Sequence, residues 1–319
     1  MPNDTLTPRE RWLAVLSREK PDRVPMDYRA TSEATHKLMA HLGCANTAAV
    51  YERLHIDRVV SVGPRYVGPP IPPDQDVYGC GYTNVDYGTG VYRECVTHPL
   101  AEYESVAQIE RHYTWPNPDW WDYSGVPAQL EGNEAYPIRG GGSEPFLTYK
   151  YLRGDEQARG QVTMSYVAED LGSQESLLYS PGQIREFLLP RMTRMMDLAH
   201  QAGAFVFHHS DGAVRDILPD MIDAGIDVLD PVQWRCKGME REGLKRDFGD
   251  RLIFHGAMDN QYTLAFGSED EVRQEVIDNL RILGDGGGYI ISPCHNIQAV
   301  SPPENIVAMY EAGYEHGWT

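Results

Sequence analysis

The apolar stretch AFVFHH, residues 204–209, ends in two histidines and is followed at once by Ser-Asp-Gly. On an extended chain, successive side chains point to opposite faces, so His209 and Asp211 face the same way and His208 faces the other. An imidazole and a carboxylate at one strand end can bind a divalent metal ion if a third ligand comes from another strand. Such a pair also arises by coincidence, so its spacing alone predicts a metal site only weakly.

Other predicted strands also end in side chains that can do chemistry. The last of them, GYIISP, runs directly into Cys294 and His295, and either residue could be the third metal ligand. Two imidazoles with a carboxylate suit zinc or another divalent ion, whereas a thiolate ligand favours zinc. The polar residues at or just after predicted strand ends are Asp27, Arg29, Arg65, Tyr66, Glu169, Asp170, Gln174, His208, His209, Asp211, Asp230, Gln233, His255, Asp259, Cys294, His295 and Asn296.

Two of the acids have a structural alternative. Asp211 could cap the helix predicted to begin near Val214, because a carboxylate at that position accepts a backbone N–H. Asp230 stands before Pro231, and this pair predicts a turn. Replacing Asp211 with alanine separates the two interpretations, since a loss of stability with unchanged metal content would identify a helix cap.

Strand and helix patterns alternate along most of the chain. The strand AFVFHH precedes the helical VRDILPDMIDAG, and the strand RLIFHGAMD precedes the helical EDEVRQEVIDNLRIL. This alternation predicts a parallel sheet whose strands are buried on both faces. No GxGxxG motif follows the first predicted strand, RVPMDY, so we favour a (β/α)8 TIM barrel over a doubly wound sheet. In a barrel, the carboxyl ends of the strands and the loops after them line the site.

We predict a single barrel domain over residues 1–319, with long loops at about 62–95 and 113–145. Inside the first loop, GCGYTNVDYGTGVYRE predicts a β-hairpin, because apolar and polar residues alternate around a glycine-rich turn. Further on, YKYLRGDEQARG leads into the strand QVTMSYV with almost no connection. The sequence leaves open whether residues are missing between Arg159 and Val162.

Composition excludes several classes of protein. The formal net charge of -19 disfavours nucleic-acid and anionic-membrane surfaces, which are themselves negative. No apolar stretch approaches the roughly 20 residues that span a bilayer, and the N-terminus has no secretory apolar segment. Five cysteines without a CxxC pair predict reduced thiols and therefore a cytoplasmic protein.

Several segments together resemble the uroporphyrinogen decarboxylase superfamily. They are TPRERWLAVLSREKPDRVPMDY, EDLGSQESLLYSPGQIREFLLPRM, FHHSDGAVRDILPDMIDAGIDVLDPVQ, FGDRLIFHGAMDNQYTL and GGGYIISPCHNIQAVSPPENIVAMYEAG. The resemblance implies a (β/α)8 barrel, and the superfamily includes both porphyrinogen decarboxylases and zinc-using methyltransferases linked to cobalamin or thiols. Because its members are often dimers, it also implies a homodimer.

Two departures from the superfamily patterns point to the methyltransferase branch with an altered metal site. The decarboxylases carry an arginine-rich RQAGRY-type segment after the first strand, where this chain has PMDYRATSEATHK with only Arg29. The methyltransferases bind zinc through His-X-Cys and a later Cys. Here Asp211 replaces the first of those cysteines, and the later one falls on or beside Cys294-His295. The resemblance therefore implies a metal site with harder ligands, since a carboxylate oxygen replaces a thiolate sulfur.

The leading hypothesis is a metal-dependent methyltransferase or O-demethylase. It would move a methyl group between a small methoxy or thiol compound and cobalamin on a separate corrinoid protein. The proposed ligands to a divalent metal, most simply zinc, are His209, Asp211 and His295, with Cys294 as the substitute. Glu169 is a fourth ligand or general base beside the catalytic His209 and Asp211. The expected substrate-binding or ligand-orienting residues are Asp170, Gln174, Gln233, Asp259, Arg65 and Tyr66.

Two alternatives remain open. One is a cofactor-free decarboxylase or other lyase acting on a small carboxylated substrate, in which Asp27, Arg29 and His209 stabilise developing charge. The other is a noncatalytic barrel that only binds a ligand. A lyase pocket for a polycarboxylate needs several convergent cations, and only Arg29, Arg65 and Arg139 are candidates. A stoichiometric, exchangeable metal ion would count against the noncatalytic barrel.

Overall fold

The structure is a computed structural model, and it describes residues 4–86, 88, 91–101, 103–140 and 162–319. The chain forms two compact units, one of Met1–Gly63 with Pro127–Thr319 and one of Pro64–Val126. That all 319 residues form one barrel domain stays a prediction. The predicted segment YKYLRGDEQARG, and the junction between Arg159 and Val162, lie outside the described residues or at their edge.

The described strands are short and number eleven. They are β1 (Val60–Val62), β2 (Arg65–Tyr66), β3 (Gly81–Asp86), β4 (Val91–Thr97), β5 (Trp121–Asp122), β6 (Ile138–Gly140), β7 (Met164–Tyr166), β8 (Phe205–His209), β9 (Val228–Val232), β10 (Ile253–Met258) and β11 (Tyr289–Pro293). The first unit contains a seven-stranded sheet in the order β1-β6-β7-β8-β9-β10-β11, and every neighbouring pair in it is parallel. The predicted parallel α/β architecture is therefore confirmed.

From β7 onward, helices alternate with the strands as predicted, whereas three helices precede β1. The helices are α1 (Pro8–Leu16), α2 (Ser32–Leu42), α3 (Thr47–Arg53), α4 (Val106–His112), α5 (Val126–Leu130), α6 (Pro181–Gln183), α7 (Leu189–Gln201), α8 (Leu218–Ala224), α9 (Arg241–Phe248), α10 (Thr263–Phe266), α11 (Glu269–Leu283) and α12 (Pro303–His316). A π-helical turn at Ile184–Leu188 joins α6 to α7. Pro190 has no N–H to donate to the preceding turn, which accounts for the break in the α-helical pattern.

The first predicted strand, RVPMDY, does not form a regular strand. Met26 makes an isolated parallel bridge with Ile291 of β11, and its carbonyl accepts the N–H of Asp57 at 2.9 Å. Pro25 interrupts this segment and cannot donate a ladder hydrogen bond. The predicted eight-stranded barrel is thus confirmed only as a parallel sheet of seven strands.

The interior face of the sheet carries two layers of side chains. Trp12 of α1 lies against Phe207, with ring centroids 6.0 Å apart, and this apolar layer is completed by inward residues of the neighbouring strands. The other members of this layer include Met164, Val228, Ile253 and Ile290. Since side chains alternate along a strand, residues two positions further toward the carboxyl ends form the next layer. That second layer contains Tyr166, His209, Asp230, His255 and Ser292.

The N-terminal TPRERW and DRVP segments are joined by buried ion pairs. Arg11 pairs with Asp57 and, at 2.7 Å, with Asp22, while Arg23 Nη1 lies 2.8 Å from Asp57 Oδ2. Arg11, Arg23 and Asp57 are each about 1 % exposed. Two arginines on one carboxylate offset the cost of burying three charges, so these residues hold α1 to the chain that enters β1.

The strand pairs described in the second unit are antiparallel. β3 and β4 form a hairpin in which Tyr82 pairs with Cys95, and β2 pairs with β5. The predicted hairpin is therefore confirmed, although it lies within a segment predicted as a long loop. In the parts of the chain that the structure describes, no helix combines the length and apolarity that crossing a membrane requires.

Candidate metal centre and its buried charge network

Three candidate ligands converge at the carboxyl ends of β7 and β8. The ligand atoms of Asp170, His209 and Asp211 all lie within 4.8 Å of one another. His209 is the last residue of β8, and its Nε2 is 3.8 Å from Asp170 Oδ1. The N–H of Asp211 donates to the same Asp170 oxygen at 3.2 Å. No other such group of histidine, cysteine and carboxylate side chains occurs among the described residues.

Asp230 lies behind the imidazole of His209. His209 pairs with Asp230 in the sheet register, and its Nδ1 lies 3.5 Å from Asp230 Oδ2, an ion-pair contact in which Nδ1 makes no hydrogen bond to a described residue. When His209 is neutral with its proton on Nδ1, the lone pair of Nε2 faces Asp170 and Asp211. A carboxylate behind a ligating histidine is the usual arrangement in protein metal sites, because it holds the tautomer and raises the basicity of the ligand.

Asp230 is also the centre of a buried charge network. Arg29 Nη1 donates to both Asp230 oxygens at 2.8 Å, and His255 Nδ1 lies 2.8 Å from Oδ1. The other ring nitrogen of His255 lies 3.2 Å from Asp27 Oδ2. Asp230 and His255 are 0 % exposed. The imidazole of His255 therefore lies between the carboxylates of Asp230 and Asp27, and the guanidinium of Arg29 pairs with Asp230.

The pKa values of this network favour its ionised state. Burial acts to raise the pKa of Asp230, but His255, His209 and Arg29 outweigh burial and hold it well below its usual range. Burial likewise opposes ionisation of Asp27, but the hydrogen bond and charge of His255, together with the charges of Arg139 and Arg29, outweigh burial and lower the pKa of Asp27. For His209, the carboxylate of Asp230 outweighs burial and raises the pKa.

His255 should make stability depend on pH. Burial acts to lower its pKa, but the carboxylates of Asp230 and Asp27 outweigh burial and raise it to about 8. A raised folded-state pKa stabilises the protein fully below the unfolded value of about 6.5, and the effect is lost as pH rises through the folded value. We expect the contribution of this residue to the free energy of unfolding to fall by about 2 kcal/mol between pH 6 and pH 9.

Urea unfolding over this pH range, on wild type and His255→Gln, checks the expectation. The difference in free energy between the two proteins should shrink as pH rises. A difference that stays constant or grows would contradict a protonated His255 in the folded state.

The loop after β8 depends on Gly212. This residue has φ 89°, and a Cβ there would lie 2.5 Å from the carbonyl oxygen of Ser173 and 2.6 Å from that of Gly172. Its N–H donates to Gln233 Oε1 at 2.9 Å. The close approach of the two loops places Asp211 beside Asp170, which itself belongs to the loop after β7.

Gly212→Ala should lower the free energy of unfolding by at least about 2 kcal/mol, because it combines a left-handed backbone with a steric clash. Gly43→Ala is the matched control, since Gly43 has φ 66° but open space where a Cβ would stand. That control should cost only about 1 kcal/mol. Equal losses in urea unfolding would show that the loop contact at Gly212 does not matter.

The structure separates the other expected metal ligands from this group. Cys294 is 3 % exposed, its thiol donates to the carbonyl of Val232 at 3.2 Å, and burial raises its pKa well above the usual range. His295 is exposed, and its charge acts on Asp211, although it lies outside the group of three. Burial, together with the charges of Asp170 and Asp230, raises the pKa of Asp211 against the opposing charges of His209 and His295.

Asp211 does not cap a helix. Neither the 3₁₀ turn Arg215–Ile217 nor α8 has a side-chain hydrogen bond at its N-cap, which disfavours the capping interpretation of Asp211. Glu169 is half-buried beside this group, and burial, followed by the charge of Asp170, raises its pKa. A carboxyl with a raised pKa beside a metal site can exchange a proton nearer to neutral pH.

The expected substrate-binding residues divide between the two units. In the first unit, Gln174 and Gln233 both contact the amide oxygen of Gln261, at 3.4 and 3.3 Å. Asp259 is buried, and its carboxylate pairs with Arg235 and accepts the N–H of Thr263 at 3.2 Å, so it organises the start of α10. Gln174 and Gln233 thus connect the loops around the group of three.

Arg65 and Tyr66 lie in the second unit. Arg65 Nη2 is 3.0 Å from Asp122 Oδ2, and the hydroxyl of Tyr66 donates to Pro69 O at 2.8 Å. The Tyr66 ring also stands edge-on to Trp121, with ring centroids 5.4 Å apart. These contacts give both residues structural roles within that unit.

Sequence reasoning left four network residues out of the proposed metal site: Asp27, Arg29, Asp230 and His255. The sequence assigns Asp27 and Arg29 a role only in the lyase alternative, and Asp230 before Pro231 predicts a turn. The signal that could have identified them is the two-residue repeat of a strand. Asp230 and His255 lie two residues beyond Val228 and Ile253 of the apolar layer, so they share its inward face. An acid and an imidazole that continue an inward apolar row are candidates for a buried ion pair.

The fold and this site define a parallel α/β protein with ionisable groups gathered at the carboxyl ends of its strands. Residues 154–316 match the family model described as Uroporphyrinogen decarboxylase (URO-D), which is half of the chain. The chain belongs to the uroporphyrinogen decarboxylase family.

Individual relatives are distant. The chain is similar to uroporphyrinogen decarboxylase of Thermus thermophilus, with 26 % identity over 206 residues, covering 58 % of this chain and 56 % of the relative. It is also similar to that of Synechocystis sp., with 24 % identity over 197 residues, covering 56 % of this chain and 54 % of the relative. The matches therefore span about half the length of these curated relatives.

Among solved structures, a methyltransferase from Methanosarcina mazei has a similar fold. The TM-score is 0.60 at 19 % identity, and the match covers 97 % of this chain and 99 % of that one. The likeness shows that the two chains share a fold along nearly their whole length.

Proposed function

We propose that this protein is a metal-dependent methyltransferase or demethylase. It transfers a methyl group between a small methoxy or thiol compound and the cobalamin of a separate corrinoid protein. The observation that carries the proposal is the grouping of Asp170, His209 and Asp211 with Asp230 behind the imidazole. The full-length likeness in fold to a protein named a methyltransferase agrees with it.

The donor set suits a borderline or hard divalent cation. One imidazole nitrogen and two carboxylates are ligands for Zn²⁺, Fe²⁺ or Mn²⁺, and Cys294 is turned away. A divalent ion bound here would act as a Lewis acid on an oxygen or sulfur of the substrate. Three protein ligands leave room in the coordination shell for that atom, as catalytic sites require.

The chain's own residues prepare the site for this role. Asp230 faces Nδ1 of His209 at 3.5 Å and favours a proton there, which would leave Nε2 available as a ligand. Arg29 and His255 balance the charges of Asp230 and Asp27 behind it. Glu169 stands at the edge of the group with a raised pKa, and it can take up or release the proton of a thiol or alcohol substrate.

Metal removal tests the proposal. We expect the purified protein to hold one transition-metal ion per chain, and chelation to reduce methyl transfer from methoxylated compounds to cob(I)alamin, or from methylcobalamin to thiol compounds, to background. Adding back the same ion should restore the activity. An active protein after complete metal removal would overturn the proposal, and so would a metal-free protein that resists loading.

A second candidate is a cofactor-free lyase acting on a carboxylated substrate. The observation that favours it is a cavity of about 620 Å³ lined by Arg29, Arg139, Tyr51 and Asn296, among others. Within the described part of the chain, the side-chain hydrogen bonds of Arg29 use only Nη1, which leaves its other guanidinium donors to face a substrate carboxylate. Metal-independent release of CO2 from a small polycarboxylate would identify this function in place of methyl transfer.

A further inference from the structure

Two cysteines of the second unit stand side by side at the open end of the β3–β4 hairpin. Tyr82 pairs with Cys95, while Gly81 pairs with Thr97, so β4 contains a bulge at this point. Side chains alternate along a strand, and Cys80 therefore lies on the face that Tyr82 and Cys95 share. Cys80 and Cys95 are both half-buried, so a small reagent can reach them.

Contacts of each cysteine fix where the two thiols stand. Cys95 Sγ donates to Thr97 O at 3.4 Å and lies 3.6 Å from Nδ1 of His98. Because Thr97 is opposite Gly81, these contacts turn the Cys95 thiol along β4 toward Cys80. The N–H of Cys80 donates to Asp76 Oδ1 at 2.9 Å, which anchors that residue at the start of β3.

The two cysteines are not chemically equivalent. Burial, then the charge of Asp76 and the thiol of Cys95, raise the pKa of the Cys80 thiol. Cys95 has the imidazole of His98 beside it, and an imidazole can accept a thiol proton. Cys95 is thus the better placed nucleophile for the first attack on a disulfide. Cys80 is the resolving thiol, which attacks the mixed disulfide formed on Cys95.

We propose that Cys80 and Cys95 are a redox-active thiol pair that forms a reversible disulfide. A low-molecular-weight disulfide such as oxidised glutathione is the oxidant. The Cys95 thiolate attacks one of its sulfurs, a Cys95–glutathione bond forms, and one glutathione leaves as its thiol. Cys80 then attacks Cys95 sulfur, the Cys80–Cys95 bond forms, and the second glutathione leaves. The chain loses two hydrogens, and both are found on the two glutathione thiols.

A metal site is the competing interpretation of two thiols near an imidazole. Cys80, Cys95 and His98 do not form a group of three ligands within 4.8 Å, unlike Asp170, His209 and Asp211. The redox proposal also stands apart from the proposed function, because all of its residues belong to the second unit.

Incubation of the full-length protein with defined ratios of glutathione and its disulfide tests the proposal. We expect titratable thiols to fall from five to three, intact mass to drop by about 2 Da, and dithiothreitol to reverse both changes. Peptide mapping should find Cys80 linked to Cys95. Cys80→Ser should instead keep one glutathione on Cys95, and His98→Ala should slow the first step.

Cys44→Ser is the matched control, since Cys44 is also half-buried but lies after α2 in the first unit, and it should oxidise like wild type. Circular dichroism checks that each serine variant is folded. Separate glutathione adducts on Cys80 and Cys95, a cross-link to another cysteine, or zinc retained by this pair would each overturn the proposal.

Discussion

Replacing His209 with alanine should weaken divalent-metal binding by at least about 100-fold and reduce methyl transfer to background. His209 supplies the one nitrogen in the group, and it is the residue that connects the exposed Asp170 to the buried Asp230. Without it, two carboxylates remain, and these repel each other when no cation lies between them. The loss should therefore exceed that from removing a residue that only orients a ligand.

Isothermal titration of the metal-free protein with Zn²⁺ and Mn²⁺ measures this effect directly. His200→Ala is the matched control, because His200 also pairs with an aspartate, Asp227 at 2.9 Å, but lies at the end of α7 away from the group. His200→Ala should bind metal like wild type. His295→Ala adds a second comparison, since a large loss there would place the third ligand after β11 and would contradict the assignment of Asp170.

Removing the carboxylate of Asp230 should be the most destabilising change at the site. Asp230 is fully buried and offsets the charges of Arg29, His255 and His209. In Asp230→Ala, the side chains of Arg29, His255 and His209 remain buried but lose the carboxylate that offsets their charges. Breaking a buried ion pair in this way costs about 3–5 kcal/mol, so we expect the free energy of unfolding to fall by that amount.

Urea unfolding at neutral pH checks this expectation. Asp170→Ala is the control, because the Asp170 side chain is 60 % exposed and its removal should change stability by less than about 1 kcal/mol. Asp170→Ala should nevertheless impair metal binding, so the two variants separate support of the fold from ligation. A small loss of stability in Asp230→Ala would show that the buried network does not stabilise the fold.

The tertiary structure also determines which of the predicted residues enter the metal site. Cys294 and His295 are adjacent in sequence, yet one thiol is buried against Val232 and the neighbouring imidazole is exposed. Adjacent residues after a strand point in different directions, and the local turn decides which one enters the site. Asp170 joined the metal group because Gly172 and Gly212 let two loops approach closely, a contact between positions about 40 residues apart.

Local sequence patterns are sufficient to predict the alternation of strands and helices, the parallel sheet, the β3–β4 hairpin and the shared face of His209 and Asp211. These features depend on local periodicity, which each segment carries in its own residues. Only the tertiary structure decided that Asp27 meets His255 across 228 positions, or that Asp230 joins a buried network and does not merely form a turn. Periodicity tells which face a side chain takes, but strand order and register determine which charges meet on that face, and burial determines how strongly they interact.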